Sequence, residues 1–348
     1  MDFKKLTADD IGSRVNFDYV PVEVSTPMAT NSPILLCGLP RSGTTWIAKM
    51  VDSHPGTRYL HEPDKLLPLK FDLPCGPDSV ETINRYIDHL QTVFSTSVLK
   101  LPVMRKSGSS ALGYYSKKGL LFGAKCVASR LGEFDLPGWM QVGDTAELRL
   151  AWKSVRLYRH IAAVAQAVPN QRVVFIIRHV GGFMASHVAG RKSGRMSPKS
   201  DRGDTFEGFD GLFSDVGSTT QIEYGLDRES IARMEPYQRM AWRWAVINHR
   251  AIKQLESCPN AMVVSYDAFT RDPMNSARMM LRHLELDWSP EVENFVKEST
   301  SGQDDDYYVT TKNPSVTSNK WKSQLPAEEI DWITTNILPT LPGQLFRE

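Results

Sequence analysis

Residues 34–46 read Ile-Leu-Leu-Cys-Gly-Leu-Pro-Arg-Ser-Gly-Thr-Thr-Trp, and this stretch decides the fold. An apolar run, a turn containing two glycines and a helix-forming run follow one another, which is the pattern of a buried strand, a tight loop and a helix. In such a loop, successive backbone N–H groups point at one place, and the helix N-terminus adds partial positive charge. We therefore predict that the loop between Gly38 and Thr44 binds an anion, for which phosphate is the natural candidate. The alternative is a turn with a structural role only.

The spacing within this loop separates it from the loop of nucleotide-hydrolysing enzymes. Those enzymes need a lysine directly after the second glycine, where it reaches the β- and γ-phosphates. Here Thr44 follows Gly43, and the cation of the loop is Arg41. The missing lysine argues against a P-loop kinase or nucleotide hydrolase, which is kept as one alternative hypothesis. The other alternative is a catalytically inactive nucleotide-binding protein.

Working outward from the loop, short apolar runs alternate with longer helical patterns. This alternation predicts an α/β fold, a single P-loop NTPase-like domain with a central parallel sheet flanked by helices. The domain is predicted to cover residues 32–348, after an N-terminal extension at 1–31. Strands are predicted at 34–37, 57–61, 121–126, 173–177 and 261–266. Helices are predicted at 44–52, 79–99, 147–167, 182–191, 228–256, 274–284 and 327–337.

Two irregular stretches interrupt this pattern. Residues 192–227 are rich in Gly, Ser and Asp, and the stretch is too long for an ordinary connection in a compact domain. Residues 299–320 form a second irregular stretch. We interpret both as insertions on the side where a substrate enters, and the alternative is that they are surface loops without a role.

Composition excludes several classes of function. Forty-one Lys and Arg balance 40 Asp and Glu, leaving a formal charge of +1, so no global field favours nucleic acid and any anion site must be local. No apolar run reaches about 18 residues, which predicts no membrane span, and no apolar leader is evident, which predicts a cytoplasmic protein. The four cysteines lack paired spacing, so neither a metal site nor disulfides are expected. The oligomeric state is not predicted.

The loop also carries a resemblance to a known family. Residues 40–46 resemble the 5′-phosphosulfate loop of the sulfotransferases that use 3′-phosphoadenosine-5′-phosphosulfate (PAPS). In that family a Lys or Arg stands where Arg41 stands, beside the sulfuryl group. The resemblance implies PAPS as cosubstrate, a role for Arg41 at the leaving phosphate, and donor binding by Arg41, Ser42, Gly43, Thr44, Thr45 and Trp46.

A second segment resembles the 3′-phosphate site of the same family. Arg178 ends an apolar strand, and Ser186 follows eight residues later on a predicted helix. A guanidinium at a strand end offers a fork of donors to a phosphate, and a serine adds a hydroxyl. Residues 266–273 and 321–325 resemble two further family segments. Because the family's loop before the latter closes over the nucleotide, Ser315 and Lys320 are candidates near the 3′-phosphate.

The same resemblance suggests which residues carry the chemistry. Lys153, predicted to begin a helix, matches a lysine near the sulfuryl oxygens, and the alternative is a solvated lysine. Glu62 matches the base of relatives that act on carbohydrates or tyrosine, with His61 and His54 as alternatives and a structural carboxylate as the plain interpretation. The Lys-x-His segment of the animal cytosolic enzymes is not found, which favours the bacterial or carbohydrate-type branch. We expect in-line transfer without a metal to a hydroxyl or amine of a small-molecule or carbohydrate acceptor.

Overall fold

A computed structural model of the chain describes residues 32–65, 67–72, 75–92, 148–192, 223–301 and 319–346. The predicted extension at 1–31, the predicted strand at 121–126, most of the insertion at 192–227 and Ser315 lie outside the described residues. Among the described residues, no helix combines the length and apolar character needed to cross a bilayer.

One parallel sheet organises the described residues. Its strands, in chain order, are β1 Ile34–Gly38, β2 Thr57–His61, β3 Arg149–Ser154, β4 Arg172–Ile177 and β5 Ala261–Ser265. Their order in the sheet is β2-β3-β1-β4-β5, and every neighbouring pair is parallel. All strands therefore end at one edge, called the carboxyl edge below. The predicted α/β class is confirmed.

Helices cover both faces of this sheet. They are α1 Thr44–Ser53, α2 Pro77–Thr92, α3 Ile161–Ala167, α4 Val180–Lys192, α5 Arg228–Arg233, α6 Pro236–Leu255, α7 Tyr266–Arg271, α8 Pro273–His283, α9 Pro290–Ser301, α10 Trp321–Gln324, α11 Ala327–Asn336 and α12 Leu341–Gln344. Alternate side chains of β1 enter two cores. Leu35 and Cys37 pack with α2, α3, α4 and α6. Ile34 and Leu36 pack with α1, α7, α8 and α9.

The sheet order determines where a ligand can bind. The central strand β1 has β3 on one side and β4 on the other. In open α/β sheets, ligands bind at the carboxyl edge where the connections to neighbouring strands diverge. The loop after β1 lies at that point, together with the ends of β3 and β4.

The helix predicted at 147–167 is wrong over its first half. Residues 149–154 form β3, which pairs with β1 and β2, Leu157–Arg159 forms a short 3-10 helix, and only Ile161–Ala167 is α-helical. Leu, Ala and Trp are acceptable in a helix, so local propensity was misleading, and pairing on both sides decided the outcome. Arg149 fits in the buried strand because its guanidinium donates to the carbonyl oxygens of Ser32 and Leu284 at 2.9 and 2.6 Å. Lys153 therefore lies on a strand.

Two other predicted boundaries need correction. The helix predicted at 228–256 is two helices, because Pro236 lacks the amide hydrogen needed to continue a helix and instead begins α6. Tyr266 was predicted to end a strand but begins α7. Ser265 caps that helix, its hydroxyl accepting a hydrogen bond from the amide of Ala268 at 3.2 Å.

Candidate active site

The loop after β1 has the geometry of an anion cradle. Gly43 has a φ of 80° and Arg41 a φ of 73°, both in the left-handed region. The amide of Ser42 donates to the carbonyl of Leu39 at 3.2 Å, which closes the turn. Ser42 Oγ is buried and has no hydrogen-bonding partner among the described residues. The first amides of α1 lack acceptors within the helix, so amides and hydroxyl together fit an anionic oxygen.

Tyr266 supports this loop from the side of α7. A Cβ atom on Gly43 would lie 2.1 Å from Cδ2 of the Tyr266 ring, so only glycine allows the approach. The guanidinium of Arg178 lies 5.1 Å from the centre of the same ring, within range of a cation–π contact. Tyr266 thus joins the loop to Arg178. Residues 266–273 resemble a family segment, but the contact of Tyr266 with Gly43 has no local signal in the sequence.

Trp46 anchors the start of α1 in the core. Its side chain is buried, its indole N–H donates to Ser299 Oγ at 3.0 Å, and its ring packs edge-on against Tyr266 and Phe269. These contacts fix the start of α1 against α7 and α9, and the predicted donor contact of Trp46 stays a prediction.

Two arginines and a serine predicted for different parts of the donor meet beside the loop. Arg41 Nε donates to Ser186 Oγ at 2.9 Å, and Arg178 Nη1 lies 3.4 Å from the Arg41 carbonyl oxygen. Gly182 gives Arg178 its space, because a Cβ there would lie 2.7 Å from Arg178 Nε. The β1 loop, the end of β4 and helix α4 thus form one cationic surface.

The C-terminal segment is attached next to this surface. Trp321 stacks on the ring of His179 with centroids 4.4 Å apart, and a Cβ on Gly181 would lie 2.4 Å from the Trp321 ring. Burial first, then the charges of Lys322 and Arg178, lowers the pKa of His179 to about 4, so the stacked ring is neutral. Lys320 directly precedes Trp321 and Arg178 directly precedes His179, so the stacked pair brings these two chain segments together, and the 3′-phosphate role of Lys320 stays a prediction.

Lys153 and Glu62 form a buried ion pair at the end of β3. Lys153 is 2% exposed, and its Nζ lies 2.6 Å from Glu62 Oε1 and 3.2 Å from Thr45 Oγ1. The Glu62 amide donates to the Lys153 carbonyl at 2.9 Å. Glu62 also has a positive φ of 49°, and backbone strain of this kind concentrates at functional sites. The structure therefore brings Lys153, Glu62 and the donor loop together.

The pair sets the ionisation of Glu62. Burial alone would raise its pKa, but a hydrogen bond from His61 and the charge and hydrogen bond of Lys153 outweigh burial and hold the pKa well below its usual range. His61 Nε2 lies 3.3 Å from Glu62 Oε1, and His61 Nδ1 lies 2.9 Å from the Tyr59 hydroxyl. His61 therefore contacts the predicted base, which keeps both residues at the site.

His54 is not brought to the site. It follows α1 at the end opposite the loop, where its Nε2 lies 3.0 Å from the Asp287 carbonyl and its Nδ1 accepts from the Gly56 amide at 3.1 Å. A ten-residue helix is about 15 Å long, so His54 cannot reach a group bound at the loop. The alternative of His54 as a base is wrong for this geometric reason.

Comparison with known proteins identifies the family. The sequence model described as "Sulfotransferase family" matches residues 33–207, half of the chain. The chain belongs to the sulfotransferase family, which confirms the resemblance read from residues 40–46. No curated protein matches the chain.

Several solved structures are similar at low identity. Mouse sulfotransferase SULT7A1 complexed with PAP is 12% identical with a TM-score of 0.42, over 91% of this chain and 86% of that chain. The sulfotransferase domain of the Synechococcus PCC 7002 olefin synthase is 17% identical with a TM-score of 0.41, over 89% and 96%. Sulfotransferase STF9 from Mycobacterium avium is 16% identical with a TM-score of 0.38, over 88% and 77%.

Proposed function

We propose that this sulfotransferase takes the sulfuryl group from PAPS and transfers it to a hydroxyl or amine of a small-molecule or carbohydrate acceptor, releasing 3′-phosphoadenosine-5′-phosphate (PAP). One observation carries the choice of donor: Arg41, Arg178 and Ser186 meet beside the anion-binding loop at the carboxyl edge. A donor with phosphate groups at two positions of one nucleoside suits two neighbouring guanidiniums, one of which is bonded to a serine hydroxyl.

The donor-binding residues divide into two groups in this proposal. The loop amides, Ser42 Oγ and Arg41 hold the 5′-phosphosulfate, because they lie at the N-terminus of α1. Arg178, Ser186 and Lys320 hold the 3′-phosphate. The second group gives selectivity, since a nucleotide that lacks the 3′-phosphate leaves these donors without their acceptor.

The residues at the end of β3 serve the transfer itself. A bond forms from the acceptor oxygen or nitrogen to sulfur while the bond from sulfur to the bridging phosphate oxygen breaks. Arg41 and Lys153 stabilise the charge that develops on these oxygens. The acceptor proton passes to Glu62, which stays the predicted base. Because His61 and Lys153 together hold down the pKa of Glu62, movement of Nζ toward the sulfuryl oxygens would raise that pKa and make Glu62 a stronger base.

Binding and turnover measurements test the proposal together. Calorimetry should show tight binding of PAP and weak binding of AMP and ATP, and labelled PAPS should give labelled product with at least one hydroxyl or amine in an acceptor screen. Preference for ATP, with phosphate release, would instead favour the kinase or hydrolase hypothesis. Binding of PAP without transfer to any acceptor would favour the inactive relative.

Replacing Arg178 by alanine should remove selectivity for the 3′-phosphate. Loss of a charged hydrogen bond costs roughly 1.5–3 kcal/mol, so PAP affinity should fall about ten- to a hundredfold while AMP affinity changes little. Arg172→Ala is a matched control, because Arg172 begins the same strand at the opposite edge and pairs with Glu285. Equal losses for PAP and AMP in Arg178→Ala would contradict the assignment.

A further inference from the structure

A second carboxylate, Asp64, is buried two residues after Glu62 and is 3% exposed. Its Oδ2 accepts a hydrogen bond from Ser154 Oγ at 2.6 Å, and Ser154 directly follows Lys153 on β3. Ser154 Oγ also accepts from the amides of Arg156 and Leu157 at 3.0 and 3.1 Å, so the contact is held from two sides. In the described part of the chain, Asp64 Oδ1 has no hydrogen-bonding partner.

Two aromatic side chains on the same face of the sheet also bury unpartnered polar atoms. Trp152 stands two positions before Ser154, so both side chains leave β3 on one face. Its Nε1 and the hydroxyl of Tyr86 on α2 are buried without a partner among the described residues, and the two rings lie 5.8 Å apart. Burial, and next the charge of Asp64, raises the pKa of Tyr86.

These three atoms are chemically complementary to a polar ligand. A carboxylate oxygen accepts, an indole N–H donates, and a phenol does either. A buried polar group without a hydrogen bond is costly, and a carboxylate more so. We propose that Asp64, Tyr86 and Trp152 form an acceptor subsite that binds a second hydrogen-bond donor, a hydroxyl or an ammonium, next to the acceptor group that is sulfated. The acceptor class is then a polyol, sugar or amino alcohol.

The charge of Asp64 assigns the subsite to the acceptor rather than to the donor nucleotide. The donor is anionic, so a carboxylate would repel it, whereas the acceptor must bring a donating group. Lys153 points to the opposite face of β3, toward Thr45 of the donor loop. The two faces meet at the carboxyl edge, where Glu62 and Asp64 stand two residues apart. The inference rests on the proposed function, because it assumes that the nucleotide occupies the Lys153 side.

Three small probes that share one ring test the subsite. They are 2-aminocyclohexanol, 1,2-cyclohexanediol and cyclohexanol, and their binding is measured by calorimetry on the full chain saturated with PAP. We expect the amino alcohol or the diol to bind at least tenfold more tightly than cyclohexanol. Asp64→Asn should erase that difference and leave PAP affinity unchanged. Preference for the amino alcohol over the diol identifies a cationic acceptor, and the reverse identifies a polyol.

Two outcomes have different consequences for the two proposals. Equal binding of all three probes, or no binding of any of them while PAP binds, overturns the subsite and leaves the donor proposal standing. Failure of the native chain to bind PAP overturns the proposed function instead.

A loss of binding in Asp64→Asn can also result from unfolding, so Tyr86→Phe is measured as a second variant of the subsite. Because the Tyr86 hydroxyl has no partner in the described structure, its removal should not lower Tm, whereas binding of the diol or amino alcohol should weaken severalfold. Tyr224→Phe is the stability contrast, since its hydroxyl bonds to His249 and its loss should lower Tm. A Tyr86→Phe protein that loses as much Tm as Tyr224→Phe would have lost a structural bond, and the subsite would be wrong.

Discussion

Lys153→Met should lower the rate of sulfuryl transfer by roughly 10²–10³-fold with little change in PAP affinity, because PAP no longer carries the group that Lys153 contacts. Methionine keeps an unbranched apolar side chain in a position that is 2% exposed, so packing is largely preserved. The measurement is single-turnover transfer from labelled PAPS beside calorimetry with PAP. Transfer at the native rate would remove Lys153 from the chemistry.

The same substitution should change the pH dependence of stability. In the native chain the folded pKa of Glu62 lies below its unfolded value, so Glu62 contributes stability above the unfolded pKa and loses it as pH falls through the folded pKa. Without Lys153, only His61 opposes the effect of burial on that pKa, so the folded pKa of Glu62 should rise and Lys153→Met should lose less stability on acidification than the native chain does. The double variant with Glu62→Gln should recover Tm but not the rate, which separates folding from chemistry.

Gly43→Ala should sharply weaken donor binding. A residue with a side chain pays about 1–2 kcal/mol in the left-handed region, about 5- to 30-fold in an equilibrium constant, and the Cβ contact at 2.1 Å from the Tyr266 ring adds to this. We expect PAP affinity to fall by more than the strain alone predicts. The measurement is PAP calorimetry together with Tm.

Gly225→Ala is the matched control for that experiment. Gly225 also has a positive φ, 63°, but a Cβ there would meet no atom within 4 Å. Alanine at position 225 therefore introduces the backbone strain without the collision, and PAP affinity should stay at the native value. If Gly43→Ala behaved like Gly225→Ala, the loop would not be the donor site.

The fold was predictable where local pattern and tertiary context agree. Residues 34–46 combine an apolar run, glycines and a helix start, so strand, loop and helix were placed correctly. Residues 149–154 were not predicted as a strand, because the run Arg-Leu-Ala-Trp-Lys-Ser is defined by its neighbours β1 and β2 rather than by its own sequence.

The site residues also divide into those that local spacing predicts and those that depend on tertiary pairing. Arg178 and Ser186 were recognisable from spacing, and the structure places both beside Arg41. The Lys153–Glu62 pair depends on the register of β2 with β3, in which His61 lies opposite Lys153, and no local pattern contains that register. Asp64 was missed because an aspartate directly after a proline is typical of a turn, and its burial arises only from packing.

The position of β1 at the centre of the sheet has a consequence for how the chain is made. Ile34 lies opposite Ala151 and Arg172, so both partners of the first strand are synthesised long after it. Until β3 leaves the ribosome, the nascent chain presents a strand that is apolar on both faces and has no partner among the described strands, a segment prone to aggregation, and its second partner comes only with β4. The loop after β1 is thus encoded early, and a chain released before β4 cannot bring Arg178 and Ser186 beside it.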